Sequence, residues 1–81
     1  MDVKILGTGC PKCQALEALV RQVAELHGIG IDVEKVTDLD GIMSYGVMMT
    51  PALVVDEEVK SVGSIPDGER ILQWLKREES K

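Results

Sequence analysis

The chain has 81 residues, 44% of them hydrophobic and 28% charged, and a formal net charge of −5. That length allows one domain, near the lower size at which an apolar core holds a fold without staples. The acidic balance argues against nucleic acid, whose phosphates need clustered Lys and Arg, and against an anionic membrane surface. Tyr45 and Trp74 are the only aromatic residues, so the core must be built from Val, Ile, Leu, Met and Ala. No apolar run nears the ~20 residues of a membrane span. The start MDVKIL lacks the basic-then-apolar order of a signal peptide. A cytoplasmic setting is therefore expected, where paired cysteines serve metal or redox chemistry more often than architecture.

In chain order, Val3–Leu6 is a short β run ended by Gly7. From Pro11 the period changes: Leu16, Leu19, Val20, Val23 and Leu26 recur at three and four, which predicts an amphipathic helix. Glu17–Arg21 and Arg21–Glu25 are spaced to support its outer face, and Gly28 stops it. Ile31–Val36 is a second strand, with imperfect alternation. Asp38–Tyr45 reads as a short helix capped by Thr37 or Asp38, with Gly46 beyond it. Ala52–Val55 is a buried strand, Asp56-Glu57 a tight turn, and Val59–Val62 the returning antiparallel strand. Asp67 caps a last helix running to about Glu78, with Ile71, Leu72 and Leu75 inside and Trp74 at the edge. The order β-α-β-α-β-β-α implies a right-handed parallel unit followed by an antiparallel hairpin. No repeat or linker interrupts it, so residues 1–81 are expected to form a single domain.

Residues 7–13, GTGCPKC, hold both cysteines. Pro11 suits the first position of a helix, where its missing N–H costs nothing. Cys10 then stands at the positive end of the helix dipole, which favours a thiolate; Lys12 adds a second positive influence. Cys13 lies one turn further, on the apolar face of Leu16, Val20 and Val23, and is expected to be the more buried. One activated, exposed sulfur beside a buried partner is what disulfide exchange requires. A structural staple is disfavoured, because two cysteines three apart close too short a loop. The alternative is a soft-metal carrier, for copper or zinc, using the same two sulfurs. Heavy-metal chaperones also place CxxC between a first strand and a first helix, but continue in β-α-β-β-α-β order. A structural zinc site would want four ligands, and His27 is the only histidine. Gly7-Thr8-Gly9 opens like a dinucleotide fingerprint, yet the third glycine would fall on Lys12, and no GK[ST] follows. These glycines are read as a sharp turn that leaves space above Cys10.

Some forty residues on, Thr50-Pro51 leads directly into the β run ALVV, a position that proline tolerates. CPKC after a first strand, a long helix, then TPALVV opening a hairpin resembles the thioredoxin superfamily, most of all its small redox-active disulfide proteins of archaea and bacteria. The likeness covers nearly the whole chain. It implies a thioredoxin-like α/β fold, with a four-stranded mixed sheet between helices. It also implies thiol–disulfide oxidoreductase activity on protein or small-molecule disulfides, a redox-active Cys10–Cys13 pair with no further cofactor or metal, and a thioredoxin-reductase-like electron donor. Cys10 would be the nucleophile, Cys13 the resolving thiol, and Pro51 a cis proline facing them. The Thr50 backbone would pair with a passing substrate segment, and Gly63 would leave room for it. A monomer is expected.

Two positions depart from that pattern. Gly9 stands where thioredoxins carry Trp before the first cysteine. Lys4 stands where they carry a buried acid, which leaves Lys4 itself or Glu34 as the candidate to assist Cys13. Met43, Met48 and Met49 are assigned to core filling, with Met48 and Met49 also placed to touch substrate. His27 is a partner for the helix dipole's negative end.

Overall fold

Alternation along the first strand sets the layers. In the computed structural model, which describes residues 1–79, β1 (Asp2–Leu6) turns Val3 and Ile5 to one side and Lys4 and Leu6 to the other. The elements that follow are α1 (Pro11–Leu26), β2 (Asp32–Val36), α2 (Leu39–Met43), β3 (Ala52–Val55), β4 (Glu58–Val62) and α3 (Gly68–Glu79). The sheet order is β2-β1-β3-β4. β1 pairs parallel with β2 and antiparallel with β3, and β3 pairs antiparallel with β4.

On one face Val3, Ile5, Leu53 and Val55 pack against Leu16, Val20 and Val23 of α1 and Ile71 and Leu75 of α3. The other face carries a smaller core, in which Leu6, Ala52 and Val54 meet Ile42 and Val47. This is the thioredoxin-like α/β arrangement, with α1 and α3 on one side and α2 on the other. Among the described residues no helix is long and apolar enough to cross a membrane. Residues 80 and 81, the end of the expected single domain, lie outside the described ones.

The helix ends follow local chemistry. Gly28, at φ +66°, ends α1: its N–H reaches the Glu25 carbonyl at 3.3 Å, and the Ile29 N–H reaches Ala24 at 2.9 Å. Those two bonds satisfy carbonyls that the helix end would orphan, and both Ala24 and Ile29 are buried. His27 is the C-cap. Asp38 rather than Thr37 caps α2, accepting from the Gly41 N–H at 2.8 Å, and Asp67 accepts from the Arg70 N–H at 2.8 Å. α2 is shorter than the expected 38–45, because past Met43 the hydrogen bonds tighten, the Tyr45 N–H reaching Ile42 and the Gly46 N–H reaching Met43, and the chain turns at Gly46, φ +75°.

Two further features concern the core, the first of them a departure from expectation. Met43, Met48 and Met49 do not fill the core; Met48 is 97% exposed, and the other two are also mostly exposed. So short a helix reaches the sheet with Ile42 alone, and Val47 fills the remaining space. The second is Glu78, which shares the inner face of α3 with Ile71 and Leu75. In the β3–β4 register Val54 opposes Val59 and Leu53 opposes Ser61, so Lys60 is the extra residue of a bulge. Its ammonium meets Glu58 at 2.8 Å and Glu78 at 3.4 Å, with the Lys60 and Glu78 side chains only 10% and 4% exposed.

Removing one member of a buried pair costs about 3–5 kcal/mol. Lys60 keeps Glu58, so Glu78→Ala is expected to lower unfolding stability by about 2 kcal/mol, below that range. Urea denaturation followed by Trp74 fluorescence measures this.

Candidate active site

The site forms where β1 gives way to α1. Gly7 continues the parallel pairing one residue past β1, its N–H reaching the Val36 carbonyl at 2.9 Å. A Cβ on Gly7 would stand 2.3 Å from the Cys13 sulfur and 3.7 Å from the Thr50 Cβ. Glycine is therefore needed to admit the sulfur of Cys13; the space it leaves lies at Cys13 rather than above Cys10. Gly9, at φ +89°, supplies the turn.

Cys10 is the N-cap of α1, with φ −67° and ψ 163°, and Pro11 is the first helical residue. The Cys10 sulfur accepts from the Cys13 N–H at 3.4 Å, and the two sulfurs, both free thiols, lie 2.7 Å apart. Cys10 is half-buried and Cys13 buried. With Cys13 donating its S–H and then its backbone N–H, the Cys10 thiol is pulled below its ordinary value. Burial, followed by the hydrogen bond given to Cys10, pushes the Cys13 thiol up. One thiol of the pair is thus the readier thiolate and the other the proton holder. Pro11 and Lys12 are both exposed at the helix start.

The segment before β3 closes the site. The Thr50–Pro51 bond is cis, and Pro51 is fully buried. The Pro51 carbonyl accepts from the Gly63 N–H at 2.8 Å. Gly63 has φ +75°, and a Cβ there would stand 3.2 Å from the Cβ of Met49. So Met49, Thr50, Pro51 and Gly63 are neighbours, and Gly7 links Thr50 to Cys13. Next to them runs an apolar groove of about 560 Å³ lined by Thr8, Leu39, Ile42, Met43, Met48 and Thr50, among others. Its exposed rim departs from the core-filling expectation for the methionines, while Met48 stands beside Thr50, where the sequence also placed it.

Lys4 and Glu34 do not reach Cys13. The Lys4 ammonium pairs with the Glu57 carboxylate and lies 5.5 Å from the centre of the Tyr45 ring, on the α2 side of the sheet. Glu57 and Tyr45 push its pKa up. Glu34 opposes Lys4 in the β1–β2 register and alternates with Val33 and Lys35, which face α1.

Residues 1–76 match a family model described as a thioredoxin domain. The chain is also 38% identical over 75 residues to a thioredoxin of Methanothermobacter thermautotrophicus, covering 93% of this chain and 97% of that one. It belongs to the thioredoxin family. Two thioredoxins of Methanocaldococcus jannaschii are similar as well. One is 38% identical over 74 residues, 91% of this chain and 85% of the relative; the other is 28% identical over 71 residues, 84% and 82%. Thiol–disulfide exchange is the activity of the thioredoxin family, and this member carries its two thiols at the start of α1.

Two outcomes are expected. At pH 7 an alkylating agent should label Cys10 well before Cys13, because Cys10 gives up its proton at lower pH; peptide mass spectrometry at increasing times reads the two rates. Gly7→Ala forces the Cys13 sulfur to move, since overpacking of this kind costs about 1–3 kcal/mol. It should lower both the unfolding midpoint and the exchange rate.

Proposed function

We propose that the protein reduces disulfides of protein or small-molecule substrates through its CPKC dithiol, Cys10 attacking and Cys13 resolving. The observation that carries this is the pair itself: a half-buried helix-capping sulfur, eased toward thiolate, 2.7 Å from a buried thiol that holds its proton. The Cys10 thiolate forms a bond to one substrate sulfur and expels the other as a thiolate, which takes up a proton. Cys13, losing its proton, then attacks the Cys10 sulfur and releases the second substrate thiol. The substrate gains two electrons and two protons; the protein is left with a Cys10–Cys13 disulfide and needs no cofactor.

Pro11 starts the helix that activates Cys10, and Lys12 adds positive charge there. The Thr50 backbone pairs with an extended substrate segment beside Pro51, with Met49 contacting that segment and Gly63 leaving it room. A donor of the thioredoxin-reductase class returns electrons to the pair, in the cytoplasm, and the protein works as a monomer.

With a dithiol supplied and no metal added, the protein should reduce the disulfides of insulin. Cys10→Ser should abolish that activity, and Cys13→Ser should trap mixed disulfides through Cys10. Tight one-to-one copper(I) binding without any reductase activity would replace this reading with metal carriage.

A further inference from the structure

Resolution of the mixed disulfide requires Cys13, buried and reluctant to ionise, to give up a proton. A small pocket of about 70 Å³ opens onto it, lined by Cys13, Glu17, Lys35 and Thr37, with Ile5 and Gly7 among the remaining walls. Water needs only ~10–15 Å³ to enter such a space and two or more polar partners to stay there. Glu17 lies one turn beyond Cys13 on α1, and its side chain is only 15% exposed. Arg21 holds its carboxylate from the same helix at 3.0 Å, and Lys35 holds it from β2 at 3.2 Å. The titratable groups lining the site around Cys13 are Cys10 and Glu17 from α1 and Lys35 from β2. Among the lining residues β1 and its extension add Ile5 and Gly7, and Thr37 adds a hydroxyl.

On the roles assigned above to Cys10 and Cys13, we propose that Glu17 receives the Cys13 proton through water in this pocket, and that Lys35 and Arg21 position its carboxylate. The Cys13 S–H gives its proton to water, and water passes one to Glu17. The Cys13 electron pair then forms the bond to the Cys10 sulfur as the Cys10–substrate bond breaks and the substrate sulfur leaves as a thiolate. Glu17 afterwards returns its proton to solvent. Burial opposes charge on Glu17, but the hydrogen bonds from Arg21 and Lys35 outweigh it and hold the carboxyl below its ordinary value. It is therefore a weak base. Its contribution should be about tenfold, short of the ~10²–10⁴ of a well-matched base.

The test mixes reduced protein with glutathione disulfide, quenches with acid at intervals, and follows the mixed disulfide by intact-mass spectrometry. Its appearance reports attack by Cys10, and its decay reports resolution by Cys13. With Glu17→Gln the appearance should be unchanged and the decay slowed about tenfold at pH 7, the deficit closing as pH rises into the ordinary thiol range. Lys35→Met removes one of the two positioning cations but keeps the carboxylate and Arg21, so its decay should slow by less than that of Glu17→Gln. Decay in Glu17→Gln as fast as or faster than in the unaltered protein would overturn the proposal, as would equal slowing in both variants, the sign of a merely structural ion pair. A solvent deuterium effect on the decay phase of the unaltered protein is also expected and needs no variant; its absence counts against the proton transfer. If no mixed disulfide forms at all, the roles given to the dithiol fail first.

Discussion

The contact between Gly7 and the Cys13 sulfur is the constraint from which the rest of the site follows. A strand must end, a helix must begin, and a sulfur must lie against the backbone between them. With no Cβ on Gly7 the sulfur fits; any side chain there would stand within 2.3 Å of it. Once Cys13 is seated against β1, helical geometry puts Cys10 at the cap, half-exposed, with the Cys13 N–H and S–H directed at its sulfur. Inequality between two chemically identical groups thus comes from one missing methyl and one helix start. Burial raises one thiol, and donated hydrogen bonds lower the other.

The two faces of the sheet divide the remaining work. The larger core joins α1 and α3 to Val3, Ile5, Leu53 and Val55, and it holds the helix carrying both sulfurs. The smaller core supports α2 through little more than Ile42 and Val47. Too little apolar area is buried there to draw in Leu39, Met43 and Met48, which remain as an apolar rim beside Thr50. Methionine suits such a surface, since its unbranched, polarisable side chain adapts to partners of different shape. A firmly held dithiol beside an adaptable apolar edge is a reasonable arrangement for meeting varied disulfides, and it follows from how unequally the two cores are filled.

Most of this was legible in the sequence because each element carried a local signal. Pro11 and Gly28 bounded α1, Asp67 capped α3, and the apolar period assigned faces to both helices. The tight turn at Asp56-Glu57 was recognisable, although both residues take positive φ, 48° and 69°. The CPKC spacing made the cysteines the candidates, and proline after Cys10 indicated which would cap the helix. What stayed hidden depended on residues distant in sequence. Nothing near Gly7 announces that Cys13 will press on it. Nothing near Lys60 announces a bulge that turns it toward Glu78. Composition does not separate a gap-filling methionine from a surface one: α2 is too short to bury Met43, and Met48 and Met49 lie beyond it on the exposed approach to Pro51.

Lys4 makes the same point about position and chemistry. In a parallel strand with α1 on one face, a residue two before Leu6 and one after Val3 belongs to the opposite face, whatever its type. There Lys4 lies near the Tyr45 ring and pairs with Glu57, whose φ of 69° is held within a hairpin that matches the twist of the strands. Its charge is satisfied within that cluster and has no route to the sulfurs. On the roles proposed for the dithiol, the acid–base work of resolution falls to what α1 and β2 bring to the Cys13 side, where Glu17 stands compensated by Lys35 and Arg21. Compensation lets a carboxylate remain beside a buried thiol without a net charge that would oppose thiolate formation, and it keeps that carboxylate ionised and able to accept a proton.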